Sequence, residues 1–194
     1  MKPARVMLVD NTPSRSVILE QALLDQGLMV VCHLENAQGL IKNVEIHQPD
    51  IIIMALESPD RNTLENMAVL SQHNPKPVIL FCDDDDSKII IQSVQAGASA
   101  YIVDGLNPNR IKSILDVAIA RFSEYQALRK ELKQTRDQLA DRKIIDKAKG
   151  LLMKTKGLDE EQAYHAMRKM AMDQSKPLVD IAQNILSVME LLTP

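Results

Sequence analysis

Five short apolar runs constrain this chain more than any other feature. They read ARVMLVD from Ala4, LMVVCHL from Leu28, DIIIMAL from Asp50, KPVILFC from Lys76 and SAYIV from Ser99. Each is rich in β-branched residues, and a longer helix-like segment follows each one. Unbroken apolar runs suit strands covered on both faces, as in a parallel sheet. Strand then helix, five times over, predicts a doubly wound, flavodoxin-like α/β sheet. Ligands in that architecture sit at the carboxyl ends of the strands. Those ends carry Asp10 and Asn11, Ala55, Cys82 and Asp83, and Asp104. Thr12-Pro13 places a capping hydroxyl ahead of a proline suited to a first helical turn. The acidic run Asp83 to Asp86 has an ordinary role as a cap for the next helix.

The pattern changes after Gly105. From Asn109 to Met153 there is no proline, and the only glycine is Gly150. Tyr125, Leu128, Leu132, Thr135 and Leu139 recur at alternating steps of three and four, with charged neighbours. That is a heptad seam, and it predicts a coiled coil that pairs two copies into a homodimer. The opposing reading is a single helix packed on the first domain. Three helical segments follow. DRKIIDKAKGLLMKTKG ends at Gly157, a natural residue just past a helix. LDEEQAYHAMRKMAMD opens with Asp159 and Gln162 in capping-box positions, with Leu158 and Ala163 placed to staple it. PLVDIAQNILSVMELL opens with Pro177 and carries one stripe of Leu178, Ile181, Ala182, Ile185, Met189 and Leu192. The expected division is an α/β domain over 1–122, a coiled-coil helix over 123–137 and an all-α three-helix domain over 138–194.

Hydrophobic residues make up 45% and charged residues 25%, ordinary values for a globular chain. No apolar run reaches the ~18 residues that span a bilayer. MKPARVMLVD is too soon charged for a signal peptide, so the expected location is cytoplasmic, with no membrane partner. Cys32 and Cys82 lie in strand-like runs and read as buried reduced thiols. The net charge of −3 is uneven: residues 142–176 hold nine Lys or Arg against five Asp or Glu. A basic island behind an acidic body points to an anionic partner. There is no Ser-His-Asp arrangement, no Gly-rich phosphate loop and no metal-spaced His or Cys. The expectation is a protein that is not an enzyme and carries no cofactor. His33, His47, His73 and His165 read as surface or packed residues.

A strand-end acidic pocket normally works with three kinds of group. Carboxylates hold Mg²⁺, an aspartate accepts a phosphoryl group, and a lysine and a hydroxyl stabilise the transferred charge. VMLVDN, PDIIIMALESPD, KPVILF and GASAYIVDGL resemble the receiver domain of bacterial response regulators over about residues 3 to 122. On that resemblance the family's paired acids fall on Asp10 and Asn11, and its phosphoryl acceptor on Ala55. Its switch hydroxyl falls on Cys82, and its lysine on Asp104. Ala55 has no nucleophile, and Asp104 reverses the charge. The expectation is a pseudo-receiver that is not switched by aspartyl phosphorylation. At most, Asp10 and Asp83 bind Mg²⁺ weakly. Such a domain serves as a docking platform for a sensor protein or, more plainly, as a dimerisation scaffold.

In the tail, Lys143, Lys147, Gly150 and Lys154 share one helical stripe, opposite Ile144, Ile145, Ala148, Leu151 and Leu152. Ammonium groups around a closely approachable backbone suit a phosphate chain, although a solvated face is the plain alternative. In the next segment Ala163, Ala166, Met167 and Met170 make a buried face. Arg168 and Met172 lie on another, with Tyr164 between the two. These three suit stacking on unpaired bases, unless Tyr164 is core. The segment from about Gln138 to Leu192 resembles the ANTAR domain, an RNA-binding module of antiterminators. The resemblance rests on Ala148-Lys149-Gly150, Leu152-Met153, Ala163-Tyr164, Arg168 and Ala171-Met172, and adds Lys149 to the candidate RNA-binding residues. Together the halves, with ESPD, AYIVDGL and the ARF at Ala120, resemble the NasT-like nitrate-responsive antiterminators, which generally keep the receiver aspartate. The resemblance implies binding of two hairpins in a leader mRNA, so that the terminator hairpin does not form. It also implies control by a NasS-like nitrate-binding sensor protein, released by nitrate or nitrite. The alternative is a DNA-binding regulator with a helix-turn-helix tail. Asp159-Glu160-Glu161 at the start of the second helix argues against it, because acids there repel phosphates.

Overall fold

The computed structural model describes residues 3–103 and 107–192, with side chains except at 108, 109 and 189–192. Residues 1–126 and 127–194 form two compact units. The first contains strands β1 (Arg5–Asp10), β2 (Met29–Leu34), β3 (Ile51–Leu56), β4 (Val78–Cys82) and β5 (Ala100–Val103). Helices α1 (Pro13–Asp25), α2 (Leu40–His47), α3 (Arg61–His73) and α4 (Ser87–Gln95) separate them, and α5 (Pro108–Lys156) follows β5. All strand pairs are parallel, in the order β2-β1-β3-β4-β5.

Successive side chains of a strand point to opposite faces, and the two faces meet different helices. Val6, Leu8, Ile53, Ala55 and Phe81 pack with Leu19 and Leu23 of α1 and with Ile111 and Leu115 of α5. Met7, Val9, Met54, Leu80 and Cys82 pack with Leu40 and Val44 of α2 and with Met67 and Leu70 of α3. The sheet is therefore doubly wound, as its apolar runs predict. Full burial holds only for the inner strands. The edge strands β2 and β5 are partly exposed, because each has a single neighbour. Cys32, on β2, is accordingly half-buried, whereas Cys82 is buried; both are free thiols.

Helix starts follow local chemistry. Asp60 caps α3 by accepting from the Thr63 amide at 2.7 Å, and Asp86 caps α4 by accepting from the Lys88 amide at 2.9 Å. Thr12 occupies the cap position of α1, but its hydroxyl does not cap. It donates instead to Asn11 Oδ1 at 3.3 Å, while the Thr12 carbonyl accepts from the Arg15 and Ser16 amides.

Helix α5 is one element of 49 residues where the sequence suggests separate segments. Gly150 alone costs about 1 kcal/mol relative to alanine, too little to interrupt a helix packed through Ala148 and Leu152. The helix ends at Lys156, and Gly157 follows it with a left-handed φ of 66°. Helices α6 (Glu160–Asp173) and α7 (Leu178–Leu192) complete the second unit. The capping box of Asp159 and Gln162 is present in full. Pro177 lies one residue ahead of α7, and its carbonyl accepts from the Asp180 and Ile181 amides. Ala148, Met167 and Ala182 form the centre of this core, with Ile144, Ile145, Leu178 and Ile185 around them. The buried stripe of α6 runs through Ala163, Met167 and Ala171, so Met170, expected inside, is 40% exposed. The side chains of Met189 and Leu192 lie outside the described residues. Among the described residues no helix is long and apolar enough to cross a membrane.

Candidate functional site

The strand ends of the first unit hold a buried charge arrangement. Asp10 and Ala55 are direct partners across β1 and β3. The Asp10 side chain is fully buried, and Arg15 reaches back to it from the first turn of α1. Arg15 Nη2 donates to Asp10 Oδ1 at 2.8 Å, and Nε lies 3.1 and 3.2 Å from the two carboxylate oxygens. The same Nη2 donates to the Ala55 carbonyl at 2.7 Å. The Thr12 amide donates to Asp10 Oδ1 at 2.9 Å. The hydrogen bond to Asp10 holds the Arg15 guanidinium above its ordinary pKa against the opposing effect of burial.

The other expected pocket residues are more dispersed. Ala55 is wholly buried, and its methyl group belongs to the core on the α1 and α5 side. Cys82 packs on the opposite side. Burial pushes its thiol up, which disfavours the nucleophilic thiolate. Asn11 is exposed and faces a shallow cavity of ≈ 230 Å³ shared with Glu20, His33 and Glu35. Asp104 lies outside the described residues. The β3 and β4 loops are tied together: the Asp83 and Asp84 amides donate to the Glu57 carbonyl at 3.1 and 3.0 Å. Ser58 Oγ donates to Asp84 Oδ2 at 2.6 Å, and the Tyr101 hydroxyl donates to the Asp84 carbonyl at 2.8 Å. Desolvation is the main cause that pushes the Tyr101 phenol up.

The Mg²⁺ implied by the fold does not fit these donors. The ion prefers several anionic oxygens, but the one buried carboxylate among the described residues is already neutralised by Arg15, and Asp83 is exposed. Of the two expected weak Mg²⁺ ligands, Asp10 is thus buried and ion-paired, and Asp83 is exposed. Arg15 and Tyr101 escaped the sequence reading. Arg15 had a usable signal, since it stands five residues past a strand-end aspartate and one turn into the next helix.

In the second unit Lys143, Lys147 and Lys154 are exposed, and none forms an ion pair among the described residues. Lys149 differs. Its ammonium group lies 3.0 Å from Asp146 and 2.7 Å from Glu160, which raises its pKa and ties α5 to α6. Its free charge is thus largely used within the protein. At Gly150 an added Cβ would meet nothing within 4 Å, so open space lies beside it. Tyr164 is partly exposed and lines a cavity of ≈ 350 Å³ with Arg142, Ile145, Lys149 and Leu178. Arg168 and Met172 line a different one, of ≈ 280 Å³, with His165 and Lys169. The fold thus brings Arg168 and Met172 together and keeps Tyr164 in a neighbouring cleft.

Comparison with known proteins identifies both halves. Residues 6–116 match the response regulator receiver domain, and residues 133–186 match the ANTAR domain. The chain belongs to the response regulator receiver family and carries an ANTAR domain at its C-terminal end. It is 25% identical over 187 residues to the transcriptional regulatory protein PdtaR of Mycobacterium tuberculosis, covering 96% of this chain and 91% of that one. It is 42% identical over 80 residues to the nitrate regulatory protein of Klebsiella oxytoca, covering 41% of this chain and 20% of that one. The response regulator domain of Thermotoga maritima CheB shares the fold of the first unit. Its TM-score is 0.52 at 20% identity, over 62% of this chain and 97% of that one. Both matched domains are regulatory modules.

Proposed function

We propose that this protein is a transcription antiterminator whose tail binds paired hairpins in an mRNA leader and prevents the terminator hairpin from forming. The observation that carries the proposal is the exposed stripe of Lys143, Lys147 and Lys154, none of which forms an ion pair among the described residues. The core around Ala148 holds that stripe outward. In this reading the three lysines contact phosphates beside Gly150. Tyr164 and Arg168, one turn apart on α6, meet unpaired bases from adjoining clefts, with Met172 beside Arg168. Glu160 and Glu161 in the first turn of α6 disfavour the duplex-DNA alternative, because that end would face phosphates.

The functional division is a pseudo-receiver over 1–122, a coiled-coil linker over 123–137 and an RNA-binding domain over 138–194, with α5 continuous through all three. The exposed Leu128, Leu132 and Leu139 support a homodimer, and a paired protein suits paired hairpins. Identity to a nitrate regulatory protein supports action on nitrate or nitrite assimilation genes. The controlling partner is then a NasS-like sensor docked on the pseudo-receiver. Ala55 offers no oxygen nucleophile, so control by aspartyl phosphorylation is replaced by protein binding. Single-round transcription through a leader and its terminator tests the proposal. Added protein should raise read-through, and Lys147→Ala should raise it less. Read-through unchanged by the wild type would refute the proposal.

A further inference from the structure

We propose that Arg15 is the resident cation of the first unit, a fixed guanidinium in the role that receiver domains give to a divalent metal. The inference rests on the pseudo-receiver reading above and adds a cause that the missing aspartate does not supply. The buried Asp10 carboxylate receives Arg15 on both oxygens. The same guanidinium reaches the Ala55 carbonyl on the next strand. It therefore gathers oxygen acceptors from β1 and β3, the hard donors that a divalent cation would otherwise gather.

Two chemical differences from a metal follow. A guanidinium keeps its charge throughout the physiological range, and it is tethered to α1, so it cannot be removed by dilution or chelation. Among the described residues the pocket has one buried carboxylate and one cation, because Asn11 supplies no second charge. A divalent ion added there would meet a fixed positive charge beside the one buried carboxylate of the described residues, and the exposed Asp83, whose charge also acts on Arg15, is a weaker counter-charge. The strand ends are thereby held in one state. Whatever docks on this face meets a surface indifferent to Mg²⁺ and to small phosphoryl donors.

The test is titration of the full-length chain with Mn²⁺, following free Mn²⁺ by electron paramagnetic resonance. The wild type should show no saturable site. Arg15→Met should gain one, at least about tenfold tighter than any wild-type binding. Mn²⁺ should also raise the Tm of Arg15→Met and leave that of the wild type unchanged. Arg15→Gln, which keeps a neutral donor near Asp10, must show the same gain if Arg15→Met does not fold. Ala55→Asp/Arg15→Met should bind tighter still, because it adds a second carboxylate. Equal binding by the wild type and the Arg15 variants overturns the inference, as does the absence of a gain in every variant. Acetyl phosphate with Mg²⁺, followed by intact mass of the wild type, separates the two readings. A stoichiometric acid-labile adduct overturns the pseudo-receiver reading itself. Tight wild-type Mn²⁺ binding without an adduct overturns only the role given to Arg15.

Discussion

The seam on α5 gives the sharpest energetic prediction. Leu128, Leu132 and Leu139 are 58%, 53% and 55% exposed in the single chain. Burying a whole leucine side chain contributes roughly 1.5–3 kcal/mol, so the exposed half of Leu132 contributes about 1 kcal/mol per copy. A symmetric seam uses both copies, which gives about 2 kcal/mol for the pair. Leu132→Ala should therefore raise the dimer dissociation constant roughly 30-fold. Leu132→Lys loses the same burial and sets an unpaired ammonium group in each half of the seam. The further cost of several kcal/mol should leave a monomer at micromolar concentration. Sedimentation equilibrium at several loading concentrations measures both variants. Leu24→Lys is the control: Leu24 is 63% exposed on α1 and is not one of the heptad positions of α5, so it should leave the constant unchanged. A Leu132→Lys constant within about threefold of the wild type would refute the seam, as would equal weakening by the control.

Two further predictions concern helix caps. Asp159→Ala removes the acceptor of the Gln162 amide and should destabilise the tail by about 1 kcal/mol, read as a lower urea midpoint for a tail-specific probe. Hydrogen bonds from the Thr63 hydroxyl and amide hold the Asp60 carboxyl below the usual carboxylate range. Its contribution is therefore present above the unfolded pKa and lost as pH falls through the folded one. Asp60→Asn should flatten that acid limb, and a urea-midpoint profile parallel to the wild type would contradict this.

The three inner strands were legible because each is covered on both faces and needs an unbroken apolar run; the edge strands β2 and β5 carry similar runs although they are partly exposed. The positions of Asp10, Asn11, Ala55 and Cys82 at strand ends followed directly. Arg15 was not legible with the same ease. Its role depends on how the first turn of α1 returns over β1, a tertiary relation. Lys149 looks like its neighbours in sequence. Only the turn at Gly157 brings Glu160 to it. The continuity of α5 was hidden by good local signals, because a heptad seam and a basic amphipathic segment read as separate helices. The stripe of α6 advances in steps of four through Ala163, Met167 and Ala171, which leaves Met170 outside. A one-residue choice of stripe decides that, and composition does not settle it between two apolar residues.

Loop recognition by the tail is what sets the proposed antiterminator apart from a general nucleic-acid binder. The most direct measurement is filter binding to a two-hairpin leader, to the same leader with scrambled loops and to duplex DNA, at several salt concentrations. The wild type should prefer the intact leader. Lys147→Ala should weaken every RNA about equally and flatten the salt slope by about one unit or less, because one phosphate contact releases about one counterion. Arg168→Ala should lose roughly 1–3 kcal/mol on the intact loops and little on scrambled ones. A wild type that binds intact and scrambled loops alike, or prefers duplex DNA, would contradict the account.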